Sequence, residues 1–133
     1  AAWNYSQRER EPHVPGFEVA EERSASFRRD LLNSLGLSKE DVKGRSCEAH
    51  HIVPVKQDGF DEARRALWNA DPRISINSPQ NGALINHAGH VFIHNDPEYK
   101  IYVRDQIGGS KSHQTAGRLD DLRVQLMLEY RCL

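Results

Sequence analysis

An α+β fold, helix-rich and built around one small hairpin, is what the sequence predicts. Apolar residues recur at helical spacing in several segments, two short extended runs interrupt them, and Gly and Pro punctuate the chain at intervals that suit short elements. The 133 residues fit one domain. Hydrophobic residues make up 38% of them, enough for a modest core.

Residues 1–23 are polar, with alternating charge from Ser6 to Glu11 and breaks at Pro12 and Pro15-Gly16. They are expected to form an N-terminal arm or linker, with Trp3, Tyr5 and Phe17 as docking points, ahead of a folded domain over 24–133. Ser24 to Leu35 is the first helix: Phe27, Leu31 and Leu35 share a face, and Gly36 stops it. Ser38-Lys39-Glu40-Asp41 has the form of a capping box and predicts a short helical turn ending at Gly44. Residues 46–56 read as a strand or extended loop, 60–70 as a helix carrying Phe60, Arg64, Leu67 and Ala70, and Asn81 to Ile85 as a second extended segment. His87 to His94 reads as a short helix. Pro97 suits the first position of another, running through Tyr99, Tyr102, Val103 and Ile107. A Gly/Ser-rich loop is expected over 108–117, then a last helix with Leu119, Leu122, Leu126 and Tyr130 on one face.

The formal charge is −1, from 18 basic and 19 acidic residues, which argues against tight nonspecific binding of nucleic acid by charge alone. A bound divalent cation would supply positive charge locally. No apolar run approaches a membrane span, and no basic region followed by an apolar stretch, as in a signal peptide, opens the sequence. Cys47 and Cys132 allow one disulfide; without a second cysteine nearby, Cys47 reads as core.

Of the seven histidines, His50, His51, His87, His90 and His94 cluster in the middle of the chain. His90 and His94, at i and i+4, are neighbours on one helix face, a spacing that suits two imidazoles closing on one ion. His87 sits one turn earlier and is an alternative to His90. His50 and His51 are adjacent in an extended segment, so their side chains point to opposite sides. They suit divided work, one holding metal and the other facing a water. Taken singly, each pair is more often structural than functional.

Together, His50-His51-Ile52-Val53-Pro54, then Asn81, then His90 and His94 resemble the HNH (ββα-metal) nuclease signature. Ala49-His50-His51 and Asp96-Pro97-Glu98-Tyr99 resemble its AHH branch, which occurs as toxin domains in bacteria. The gaps from Asn81 to His90 and His94 are also similar to those of colicin-type DNases. The resemblance covers roughly residues 46–107, with the arm and last helix outside it. The segment from Pro54 to Asn81 departs from a plain hairpin by holding an extra helix.

The resemblance implies a metal-dependent endonuclease, with DNA preferred over RNA as substrate. His51 would be the general base and Asn81 the residue that pins the hairpin loop. His50, His90 and His94 would bind one divalent ion (Mg, Mn, Ni or Zn); Glu48, two positions before His50, and His87, one turn before His90, are candidate supporting residues by position alone. A solvent-facing role for Glu48 and plain packing for Tyr99 are the simpler expectations from residue type. Arg45, Lys56 and Arg104 are candidates to grip substrate phosphates. The AHH likeness further implies a toxin domain delivered from the producer as part of a larger protein, acting in the target-cell cytoplasm, with a cognate immunity protein. Two rival readings are a structural zinc module, although structural zinc prefers cysteine, and a nucleic-acid-binding domain without catalysis.

Overall fold

The computed structural model describes residues 24–133; the arm expected over 1–23, with its docking aromatics, lies outside the described residues. The first helix, α1, spans Ser24–Ser34, and Gly36 closes it at a φ of +72° that few other residues accept. Ser38 caps the short α2 (Lys39–Val42) through the reciprocal pair with Asp41 that the sequence indicated.

Strands β1 (Cys47–His51) and β2 (Gly82–Asn86) pair antiparallel. In their register Glu48 lies opposite Ile85, His50 opposite Ala83, and His51 opposite Gly82. The segment between them holds α3 (Asp61–Asn69) and a 3-10 turn at Pro79–Asn81. From β2 the chain passes directly into α4 (His87–His94), because Asn86 ends the strand and caps the helix, its Oδ1 accepting from the Gly89 N–H at 2.6 Å. The two strands and α4 form a ββα unit. Asp96 and Pro97 start α5 (Pro97–Val103), which runs on into a π-helical turn over Arg104–Gly108.

The last helix, α6 (Thr115–Glu129), begins earlier than the Gly/Ser-rich stretch suggests. Buried Thr115 shares a 2.8 Å hydrogen bond with Ser110 and donates to the Lys111 carbonyl at 3.2 Å, so hydroxyls that read as loop residues close the helix start instead.

Alternation along β2 explains the two-part core. Ala83 and Ile85 face a large cluster with Ile52, Val53, Phe60, Leu67, Ile76, Val103, Ile107 and Leu119. Leu84 faces a smaller one with Leu31, Leu32, Val42 and Cys47. Each fully buried large side chain contributes about 1.5–3 kcal/mol by leaving water. Cys47 is core, as expected, and is also bonded to Cys132, with Cα atoms 5.2 Å apart. The bond joins the start of β1 to the end of the chain across 85 residues, and such a closure contributes about 4 kcal/mol by restricting the unfolded chain.

Two close approaches fix the helices around the hairpin. A Cβ at Gly82 would lie 3.0 Å from the Phe27 ring, and one at Gly89 would lie 2.5 Å from the Tyr130 ring. From α6, Arg123 donates to the carbonyls of Gly82 (2.8 Å) and Gln80 (2.7 Å), fastening the 3-10 turn that leads into β2.

Candidate active site

β1 sends alternate side chains to opposite sides, and the two histidines enter different environments. On one side lie Glu48 and His50, facing α4 and α5. His50 is buried, its Nε2 2.9 Å from the Tyr99 hydroxyl and its ring edge-on to His90 at 5.1 Å between centroids. Burial above all, then the charges of His90, His51 and His94, push the His50 imidazole down to about 3, so it is neutral at any ordinary pH.

Glu48 bridges two turns of α4. One carboxylate oxygen accepts from His90 Nδ1 at 2.7 Å and the other from His87 Nδ1 at 2.7 Å. The hydrogen bond from His90 is the main reason the Glu48 carboxyl is held below its usual range, with His87 adding to it. Glu48 is partly exposed, as its type suggests, but it is also engaged: two imidazoles three residues apart on a helix face present two N–H groups, and its carboxylate accepts both. With Nδ1 committed as donor, neutral His90 keeps its lone pair on Nε2.

On the other side of β1, the His51 ring stacks on Phe27 of α1 at 3.8 Å, nearly parallel at 9°. Its Nε2 lies 3.0 Å from Asn77 Oδ1. An amide oxygen only accepts, so Nε2 carries the proton and Nδ1 the lone pair. Burial lowers the His51 imidazole below its ordinary value and the Asn77 bond opposes that shift. Sequence reasoning missed both partners. Phe27 reads as plain helix core, and Asn77 sits in an irregular segment without a periodic signal.

Asn81 is fully buried. Its Oδ1 accepts from the Val53 N–H at 2.9 Å, and its Nδ2 donates to the carbonyls of Val53 and Ile76, both at 2.9 Å. One side chain thereby ties the exit of β1 to the segment that carries Asn77. Arg64, buried on α3, reinforces the same loop by donating to the carbonyls of Pro54 (2.8 Å) and Gln57. Its helical spacing placed Arg64 correctly, but not its hydrogen bonds.

Tyr99 is also more than packing. Its hydroxyl donates to the Ile52 carbonyl at 2.9 Å while contacting His50, and burial holds the phenol well above its usual range, so it stays protonated. Arg45, Lys56 and Arg104 are exposed on three separate segments, respectively before β1, after it, and in the turn after α5, where Arg104 lies 3.6 Å from Asp105.

Among the described residues, no three His, Cys, Asp or Glu side chains already converge on a point where they would share an ion. The donor chemistry nevertheless fits a divalent metal: His50 is neutral, His90 keeps Nε2 available, and His94 is exposed at the end of α4, close enough to His50 to depress its basicity.

A profile described as "a nuclease family of the HNH/ENDO VII superfamily with conserved AHH" matches residues 33–126. No curated protein and no solved structure matches the chain significantly. The matched span extends beyond the 46–107 expected from motifs, reaching the end of α1 and most of α6. The last helix thus belongs to the family's domain, as its Arg123 grip on the turn before β2 makes reasonable. With its Ala49-His50-His51 run inside the matched span and a ββα unit around it, the chain belongs to the AHH nuclease family of the HNH/ENDO VII superfamily.

Proposed function

We propose that this nuclease is a metal-dependent endonuclease that hydrolyses DNA phosphodiester bonds, with His51 as general base and His50, His90 and His94 as the residues that would hold one divalent ion. The observation that carries this reading is the separation of the two β1 histidines. One is a buried neutral imidazole beside His90, and the other is an imidazole whose far nitrogen is already occupied by Asn77.

The chemistry follows from those partners. His51 Nδ1 takes a proton from a water as the water oxygen bonds to phosphorus and the bond from phosphorus to a sugar oxygen breaks. Asn77 keeps Nε2 protonated so that the lone pair is on the other nitrogen, and Phe27 holds the ring plane. Asn81 fixes the loop behind the base. Glu48 orients His90, with His87 sharing the carboxylate. When bound, a divalent ion polarises the phosphate and stabilises the leaving oxygen. Arg45, Lys56 and Arg104 are proposed to steady the flanking phosphates.

The preference for DNA rests on the spacing shared with colicin-type DNases. The AHH likeness supports a toxin role: a domain delivered as part of a larger protein, active in a target-cell cytoplasm, and countered in the producer by an immunity protein. No helix of the described residues is long and apolar enough to cross a membrane. Two apolar clusters and a disulfide hold the fold, which argues against a zinc needed for folding.

The test is plasmid cleavage by the purified domain with EDTA, Mg, Mn, Ni or Zn, with RNA in parallel. Metal-dependent nicking of DNA that EDTA abolishes is expected. A folded protein that cuts neither polymer with any of these ions would overturn the reading, and cleavage of RNA alone would move the substrate.

A further inference from the structure

Tyr99 stands where α5 begins, placed by the Asp96 cap and Pro97, and its hydroxyl lies between two groups that constrain it completely. A phenol has one proton. The Ile52 carbonyl, 2.9 Å away, can only accept, so it takes that proton. The His50 Nε2, also 2.9 Å from the phenol oxygen, must then be the donor in the second contact. Were the phenol to turn its proton toward His50, its oxygen and the Ile52 carbonyl would face each other as two acceptors with no hydrogen between them, which costs the desolvation of both.

From this geometry we propose that Tyr99 is a positioning residue that locks His50 in the tautomer protonated on Nε2, so that Nδ1 alone carries the lone pair with which His50 can meet an ion. The proposal rests on the reading of His50 as a metal-binding residue. The effect parallels that of Glu48 on His90: in each case a polar partner occupies one imidazole nitrogen and leaves the other as the donor atom. The two differ in kind. Glu48 brings a charge from the neighbouring position on the same strand face, whereas Tyr99 brings a neutral hydroxyl that is itself tied to the backbone of β1's exit. The orientation of His50 is thereby coupled to the loop that Asn81 pins. Such partners typically account for a 10–100-fold difference in metal affinity.

The test reads the tautomer directly. Long-range ¹H–¹⁵N correlation spectra of the metal-free protein near neutral pH distinguish protonated from unprotonated ring nitrogens. In the wild type, His50 is expected to show protonated Nε2 and unprotonated Nδ1. In Tyr99→Phe, which keeps the ring that packs near Phe60 at 6.3 Å, His50 should become a mixture of tautomers, and calorimetric zinc affinity should fall roughly 10–100-fold. Tyr102→Phe, on the exposed side of α5, should change neither.

A wild-type His50 protonated on Nδ1 would overturn the proposal without needing any variant. So would a Tyr99→Phe protein with unaltered tautomer and affinity. If the tautomer is as expected but zinc leaves the His50 signals unmoved, the role of Tyr99 stands and the metal-binding reading of His50 fails. If zinc moves those signals while Nδ1 is protonated in the free protein, the metal-binding reading stands and Tyr99 is structural.

Discussion

His50 and His51 are covalent neighbours, yet their surroundings share almost nothing. His50 lies on the α4–α5 side of β1 among polar groups: Tyr99, His90 and, through His90, Glu48. His51 lies on the α1 side against one aromatic face and one amide. On the polar side the proposed metal-binding imidazoles meet hydrogen-bonding partners; on the aromatic side one ring, the proposed base, is held by a stack and one amide. A strand is the economical way to produce this contrast, because its alternation puts consecutive residues under the control of different helices.

The sharpest way to break the contrast is to remove one histidine at a time. His51→Ala should lower the cleavage rate by about 10²–10⁴-fold and leave zinc affinity nearly unchanged. His50→Ala should lose affinity as well as rate. Calorimetry beside initial-rate assays separates the two, and equal affinity losses in both variants would mean that the sides are not specialised.

Acid should expose the polar side next. The folded His50 imidazole sits near 3, below its unfolded value of about 6.5, so the unfolded chain binds the extra proton. Stability of the metal-free protein is therefore intact above about pH 6.5 and declines as pH falls toward 3, by about 1 kcal/mol per pH unit from this group. Urea melts across that window should show the decline, and His50→Gln should flatten it.

On the aromatic side, Phe27→Ala removes a buried ring and should cost about 3 kcal/mol in denaturant unfolding, while also slowing cleavage under conditions where the variant stays folded. A variant that lost stability but cleaved at the wild-type rate would show that the stack on His51 has no part in the proposed catalysis. The smallest effect belongs to Asn77→Ala, roughly a tenfold loss of rate. With His51 as the base, its burial should place the acid limb of the rate below the ordinary histidine value. Because the Asn77 bond raises the His51 imidazole, its removal should move that limb to lower pH. A shift to higher pH would contradict the assigned bond.

Much of this was legible in the sequence because periodic signals carry it. The helices at Phe27–Leu31–Leu35 and Leu119–Leu122–Leu126, the Ser38 capping box, the Asn81–Ile85 extended run and the turn at Pro97 all appear close to where their residues indicate. The histidine cluster and Asn81 were visible as residue types at recognisable intervals. What stayed hidden depends on contacts between elements distant in the chain. Asn77 reaches His51 across 26 residues and Tyr99 reaches His50 across 49, and neither distance leaves a local pattern. Glu48 looked like an ordinary surface carboxylate because only the sheet register brings it against α4. The pairing of Cys47 with Cys132 was one open possibility, and the segment after α6, held beside the end of β2 by the Asn86 N–H to Tyr130 carbonyl bond, realises it.

The pairing of β1 with β2 turns position in this short strand into a matter of parity. His50 faces Ala83 and His51 faces Gly82, the two smallest residues of β2. A slip of one residue would exchange the sides of the two imidazoles, delivering one to Phe27 and the other to Tyr99 in reversed order. A slip of two would keep the sides and only translate the site. Single-residue insertions and deletions in β1 should thus be far more damaging than double ones, and the Ala-His-His run can be regarded as a two-letter word whose meaning depends on whether it begins on an odd or an even step.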